Sequence, residues 1–164
     1  MTAFGAGPVV SVRLAVPGDL AALRHFEQQI VAAERPFDPT LREHGIAYYD
    51  IERLLGNPDV RVLVAEAAGE PIGCGLARID LAKPYLRHER QAYLGLMYVD
   101  PRFRGQGVNR RILAALMDWC RGREVLELRL DVYCANDAAV RAYEKAGFAA
   151  HMLEMRLALN SGQQ

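Results

Sequence analysis

Cysteine is scarce in this chain. The three present, Cys74, Cys120 and Cys134, are widely spaced and set among apolar residues. They form neither a CxxC pair nor a disulfide framework, and read as buried thiols of a reducing cytosol. The four histidines share no metal-ligand spacing, so no metal site is expected. No apolar run approaches the roughly 20 residues of a membrane span. The opening MTAFGAGP also lacks the basic start and apolar run of a signal peptide. Excess charge is missing too, since 20 Lys and Arg balance 20 Asp and Glu. Without a global field, nucleic acid and anionic membranes are not expected as main partners. A soluble, cytoplasmic protein is the expectation.

What remains is apolar material. It makes up 51% of 164 residues, which suits one domain with a proper core and leaves little room for two. Residues 1–8 read as a flexible start, 9–159 as the domain and 160–164 as a tail. Val9 to Ala15 reads as a strand, and Pro17-Gly18-Asp19 as a turn and cap. Leu23, Phe26, Ile30 and Ala33 then fall at helical spacing. Pro36 and Pro39 break that helix, and a second helical region is expected over roughly 40–55. Val60 to Glu66 and Ile72 to Ile79 form a hairpin around Ala68-Gly69-Glu70-Pro71. Gln91 to Val99 is a further strand, stopped by Asp100-Pro101. A helix with Val108, Ile112, Leu113, Leu116 and Trp119 on one face follows. Val125 to Tyr133 alternates as a strand, Asn136 caps a short helix ending at Gly147, and Phe148 to Leu159 reads as the last strand. The order implies an α/β fold with one mixed, mostly antiparallel sheet flanked by helices.

The most informative stretch is Tyr98-Val99-Asp100-Pro101-Arg102-Phe103-Arg104-Gly105-Gln106-Gly107-Val108-Asn109-Arg110. A strand ends, glycines turn the chain, and a helix begins at once. Without Cβ atoms, Gly105 and Gly107 let backbone amides converge on a ligand. The helix start adds unpaired N–H groups and the positive end of its dipole. Together these make a phosphate cradle, with Arg102, Arg104, Arg110 and Arg111 as surrounding positive charge. A P-loop would need Gly-Lys-Ser/Thr, which is absent, and a dinucleotide fold would place its glycines after a first strand rather than a late one.

This turn resembles the acetyl-coenzyme A signature of the GNAT N-acetyltransferase superfamily, Gln/Arg-x-x-Gly-x-Gly/Ala. Arg104 and Gly107 match it, while Asn109 departs from its last position. A second stretch, Leu130 to Phe148, resembles the same family's later motif of strand, Asn, short helix, Tyr and Gly-Phe. Asn136 and Tyr143, seven apart, project from one helix face. Each also has a plain structural use, Asn136 as a helix cap and Tyr143 as a half-buried aromatic.

The resemblance implies that acetyl-coenzyme A is held by Met97, Tyr98, Val99, Arg104, Gly105, Gln106, Gly107, Val108, Asn109, Arg110, Asn136 and Tyr143. It implies that Tyr143 protonates the departing thiolate as general acid. It also implies a splay of the strand near Met97 to Val99, with an amide of Val99 or Tyr98 polarising the thioester carbonyl. The acceptor must react as a neutral amine. At pH 7 an alkyl amine of pKa about 10.4 is neutral only about once in 2,500 molecules, a cost of about 4.6 kcal/mol, so a general base, a water chain or a desolvating pocket should help. Some family members place Glu or His on the strand before the glycine turn, where this chain has Tyr93 and Gly95. Glu34 and Glu89 are therefore the candidate bases, and Phe37, Tyr49 and Tyr93 the candidate acceptor contacts. The acceptor is a small-molecule amine or a peptide amine, the former favoured, and a homodimer is left open. The alternative reading is a non-catalytic acyl-coenzyme A binding or sensing domain.

Overall fold

A computed structural model describes residues 9–159, so the expected flexible start and tail lie outside the described residues. Five strands form one sheet in the order β1 Val10–Leu14, β2 Val60–Ala67, β3 Glu70–Leu81, β4 Arg90–Val99 and β5 Leu128–Arg129. The first four are antiparallel, and β5 pairs parallel to β4. Helices α1 Leu20–Glu34 and α2 Ile51–Leu54 cover one face. There Leu23, Phe26 and Ile51 pack on Val62, Val64, Leu76 and Leu96. Helix α3, Val108–Gly122, covers the other face with Val108, Ile112, Leu113, Leu116 and Cys120. Helix α4 is Asp137–Lys145. Two layers of helix around a sheet therefore bury both sheet faces.

An ion network anchors the start of α1. The Arg13 guanidinium donates to both oxygens of Asp19, at 2.7 and 2.9 Å, and to Glu66 at 2.8 Å. Asp19, only 6% exposed, also accepts from the Val16 amide at 2.8 Å. The Arg13 hydrogen bonds hold the Asp19 carboxyl below its ordinary pKa. The stabilisation is complete above the unfolded pKa of about 3.9 and is lost as pH falls through the lower folded value. Asp19→Ala should cost about 2 kcal/mol at pH 7. In urea titrations of both proteins, the difference should shrink as pH falls toward about 2.

Four expectations need correction. The helical region over 40–55 is reduced to α2, and residues 35–50 are turns and irregular chain. Pro36, Pro39 and a left-handed Gly45 interrupt helix, and a buried side chain takes two of the backbone donors, as described below. The strand expected over 125–133 shrinks to β5, because β4 diverges from it. The expected strand 148–159 does not form. Among the described residues, 149–159 make no backbone hydrogen bond, and Met152, Leu153, Met155, Leu157 and Leu159 are exposed. A period-two pattern becomes strand only beside a long enough edge, and β5 offers two residues. Finally, Cys74 and Cys120 are buried as expected, but Cys134 is exposed. Among the described residues no helix is long and apolar enough to cross a membrane.

Candidate active site

The glycine turn is built as its sequence requires. Asp100 caps a short 3-10 turn, Pro101–Phe103, by accepting from the Arg102 amide at 2.9 Å. Gly105 and Gly107 then take φ of +73° and +77°, the left-handed region where a Cβ is penalised. Gly107 is the N-cap of α3, and its carbonyl accepts from the Arg111 amide at 3.1 Å. The first amides of α3 thus have no intrahelical acceptor. No heavy atom outside the adjacent chain lies within 4 Å of where a Cβ would stand at Gly105. The space beside Gly105 is therefore open.

The ring of four arginines is a correction. Arg102 is drawn back onto Asp100, with its guanidinium at 2.7 Å, and Arg111 reaches away to the Val10 carbonyl at 2.7 Å. Arg104 and Arg110 remain, and neither makes a salt bridge among the described residues. Arg104 lies on the Val99 carbonyl at 3.2 Å, and Gln106 donates to the Arg102 carbonyl at 3.1 Å. Val108 is buried in the core, so it can offer a ligand its amide only. Asn109 is half-buried and Arg110 exposed.

The splay of β4 is present. Its register against β3 jumps from Leu76↔Gly95 to Cys74↔Tyr98, so Leu96 and Met97 face the single residue Gly75. Leu96 takes φ +51° at this bulge. On the other edge β4 pairs with β5 only at Ala92 and Tyr93. Met97, Tyr98 and Val99 lie on the half beyond. The side chain of Met97 fills the space that Gly75 leaves empty, and the Tyr98 ring stacks on Phe26 at 4.8 Å. Both side chains pack against the core.

Asn136 caps α4, accepting from the Ala139 amide at 3.2 Å. Two turns on, Tyr143 meets Phe148 edge-on at 5.9 Å. Burial pushes its phenol up to about 12, with Tyr49 and Glu34 near enough to add to the shift.

Glu34 ends α1, half-buried, and accepts from the Tyr48 hydroxyl at 2.8 Å. Burial raises its carboxyl above the ordinary value, and the Tyr48 hydrogen bond partly opposes this. Tyr49 takes the place of a side chain at position 95. A Cβ on Gly95 would collide with the Tyr49 hydroxyl, which accepts from the Leu96 amide at 3.3 Å. The Tyr93 phenol sits beside it, raised by burial first and then by Tyr49. Phe37 stacks on Tyr133 at 6.2 Å, and Tyr133 donates to Asp38 at 3.1 Å. Glu34, Tyr49, Tyr93 and Tyr143 are therefore brought together, with Phe37 one turn past Glu34.

Glu89 is not among them. It is exposed at the opposite end of β4, beside His88, Arg90, Glu124 and Leu126. From there to Leu96 is about 23 Å at ordinary strand rise.

Sequence reasoning missed Glu27, and placed Tyr48 in the acceptor region without its bond to Glu34. Glu27 left a signal, a carboxylate on the buried stripe of α1 between Leu23 and Ile30. The Tyr48–Glu34 bond itself depends on how the loop folds back on α1.

Residues 27–148 match the Acetyltransferase (GNAT) family, and the chain belongs to that family. An IAA acetyltransferase of Azospirillum brasilense is 38% identical over 97 residues, 58% of each chain. The chain thus spans under two thirds of that relative. The N-alpha-acetyltransferase RimI of Mycobacterium tuberculosis is 28% identical over 141 residues, 85% of this chain and 78% of that one. A predicted acetyltransferase from Clostridium acetobutylicum, solved with acetyl-CoA, shares the fold. Its TM-score is 0.71 at 19% identity, covering 92% of this chain and 97% of the other.

Proposed function

We propose that the chain transfers the acetyl group of acetyl-coenzyme A to a primary amine. The observation that carries this is the meeting of Glu34, Tyr49 and Tyr143 beside the splayed half of β4, whose far end runs into the glycine cradle. The cradle fits the cofactor's pyrophosphate. Amides from Gly107 onward would hold it, with Arg104 and Arg110 adding charge and the main chain of Met97 to Val99, beyond the last pair with β5, taking the pantetheine arm. Acetyl-coenzyme A supplies an activated thioester. Membership of the family, and relatives named as acetyltransferases, support the same reading.

The residues divide the proton work. Tyr143 keeps its proton at neutral pH and can give it to the departing sulfur. Glu34, partly desolvated and held by the Tyr48 hydroxyl, draws the proton from the ammonium, directly or through one water. Glu89 is too far along the strand to share this role. The acceptor wall of Glu34, Phe37, Asp38, Tyr49, Tyr93 and Tyr133 joins carboxylates to aromatic faces, which suits a cationic amine. A small-molecule amine remains our favoured acceptor over a peptide.

The acid limb of the pH–rate profile for kcat/KM tests the assignment. Tyr48 donates to the charged form of Glu34, so Tyr48→Phe should raise the Glu34 pKa and move that limb to higher pH. Glu34→Gln should remove the limb and lower kcat/KM about a hundredfold at neutral pH. A limb that stays in place in both variants overturns Glu34 as the base.

A further inference from the structure

We propose that Glu27 is a positioning residue that sets the acceptor half of the site by gripping the main chain of Tyr48 and Tyr49. The inference rests on the acetyl-transfer reading above and extends it to a residue outside the reacting groups. Glu27 lies on the buried face of α1 at 2% exposure, with Leu23 and Phe26 as core neighbours. A single oxygen, Oε1, accepts from the amides of both Tyr48 and Tyr49 at 2.8 Å. It makes no salt bridge among the described residues, so its partners are two backbone amides rather than a cation. A buried carboxylate is costly to keep, and its use here is to hold two consecutive amides in one place.

Those two residues are the ones that matter on the acceptor side. Tyr48 carries the hydroxyl bonded to Glu34, and Tyr49 carries the hydroxyl in the gap above Gly95. Residues 35–50 have no helix or strand to fix them. Glu27 supplies the anchor from beneath, seven residues and about two helical turns before Glu34 on the same helix face. Base and loop therefore share one rigid helix. Gln28, whose amide reaches the Ile46 carbonyl at 2.8 Å, adds a weaker, exposed tether to the same segment.

Steady-state kinetics and amide exchange of the full chain test this together. Glu27→Ala should free the Tyr48 and Tyr49 amides to exchange, and lower kcat/KM for the amine by about a hundredfold, the scale of an ångström-level misplacement. The KM for acetyl-coenzyme A should stay within about twofold, because the cradle is untouched. Glu27→Gln keeps an oxygen able to accept both bonds and should retain most activity. Should Glu27→Ala fail to fold, Glu27→Asp withdraws the carboxylate by one methylene and should reproduce its effects. Unchanged protection of the two amides in Glu27→Ala or Glu27→Asp overturns the proposal, as does a rise in the KM for acetyl-coenzyme A as large as the loss toward the amine. If no variant or parent shows turnover, the acetyl-transfer reading fails, and amide exchange still decides whether Glu27 holds the loop.

Discussion

Replacing Tyr143 by Phe should lower kcat about 10²- to 10³-fold while leaving the KM for acetyl-coenzyme A nearly unchanged. The hydroxyl is the only group lost. The ring keeps its edge-on contact with Phe148, and Asn136 still caps α4, so the helix should stay in place. A positioned general acid contributes about 10² to 10⁴ in rate. With its pKa pushed up to about 12, Tyr143 is fully protonated through the physiological range. Its loss should therefore remove a pH-independent contribution near neutrality. Tyr143→Phe with kcat within twofold of the parent, measured at saturating amine, would show that the leaving sulfur takes its proton elsewhere.

Gly107→Val should weaken acetyl-coenzyme A about a hundredfold, with the fold retained. The residue caps α3 at φ +77°, where a β-branched side chain is strained. Relief of that strain must turn the first amides of the helix away from the cradle. Each hydrogen bond to a charged group is worth about 1.5–3 kcal/mol, so losing one or two gives the stated factor. The buried face of α3, from Ile112 to Cys120, is untouched, and far-UV circular dichroism should stay close to the parent's. Calorimetric titration with acetyl-coenzyme A reads the effect directly. Parental affinity in this variant would remove the glycine turn from cofactor binding.

The glycine turn and the Asn136 cap were legible because they are local. Gly105, Gly107, the helix start and the Asn136–Tyr143 spacing each act within about ten residues, and backbone geometry alone gives them meaning. The strands up to Val99 and helices α1 and α3 were legible for a similar reason, since their periodicities of two and 3.6 match the faces they bury. The acceptor half rests on distant contacts: Glu27 with Tyr48, and Tyr49 with Leu96, 21 and 47 residues apart. Gly95 looked like a missing base until the structure placed the Tyr49 hydroxyl over it. The arginines of the turn looked equivalent in sequence, yet Asp100 and the Val10 carbonyl claim two of them. Period-two patterns over 125–133 and 148–159 overstated the strands, because pairing depends on an edge that the splay of β4 removes.

The central claim is acetyl transfer from acetyl-coenzyme A to an amine, and thiol release across a broad amine panel tests it most directly. The panel should include small cationic amines and peptides with free N-termini. The account predicts amine-dependent release of free thiol, with at least one small amine preferred, and loss of that release in Tyr143→Phe. Tight binding of acetyl-coenzyme A with no release on any amine would contradict it, and would favour an acyl-coenzyme A sensing domain.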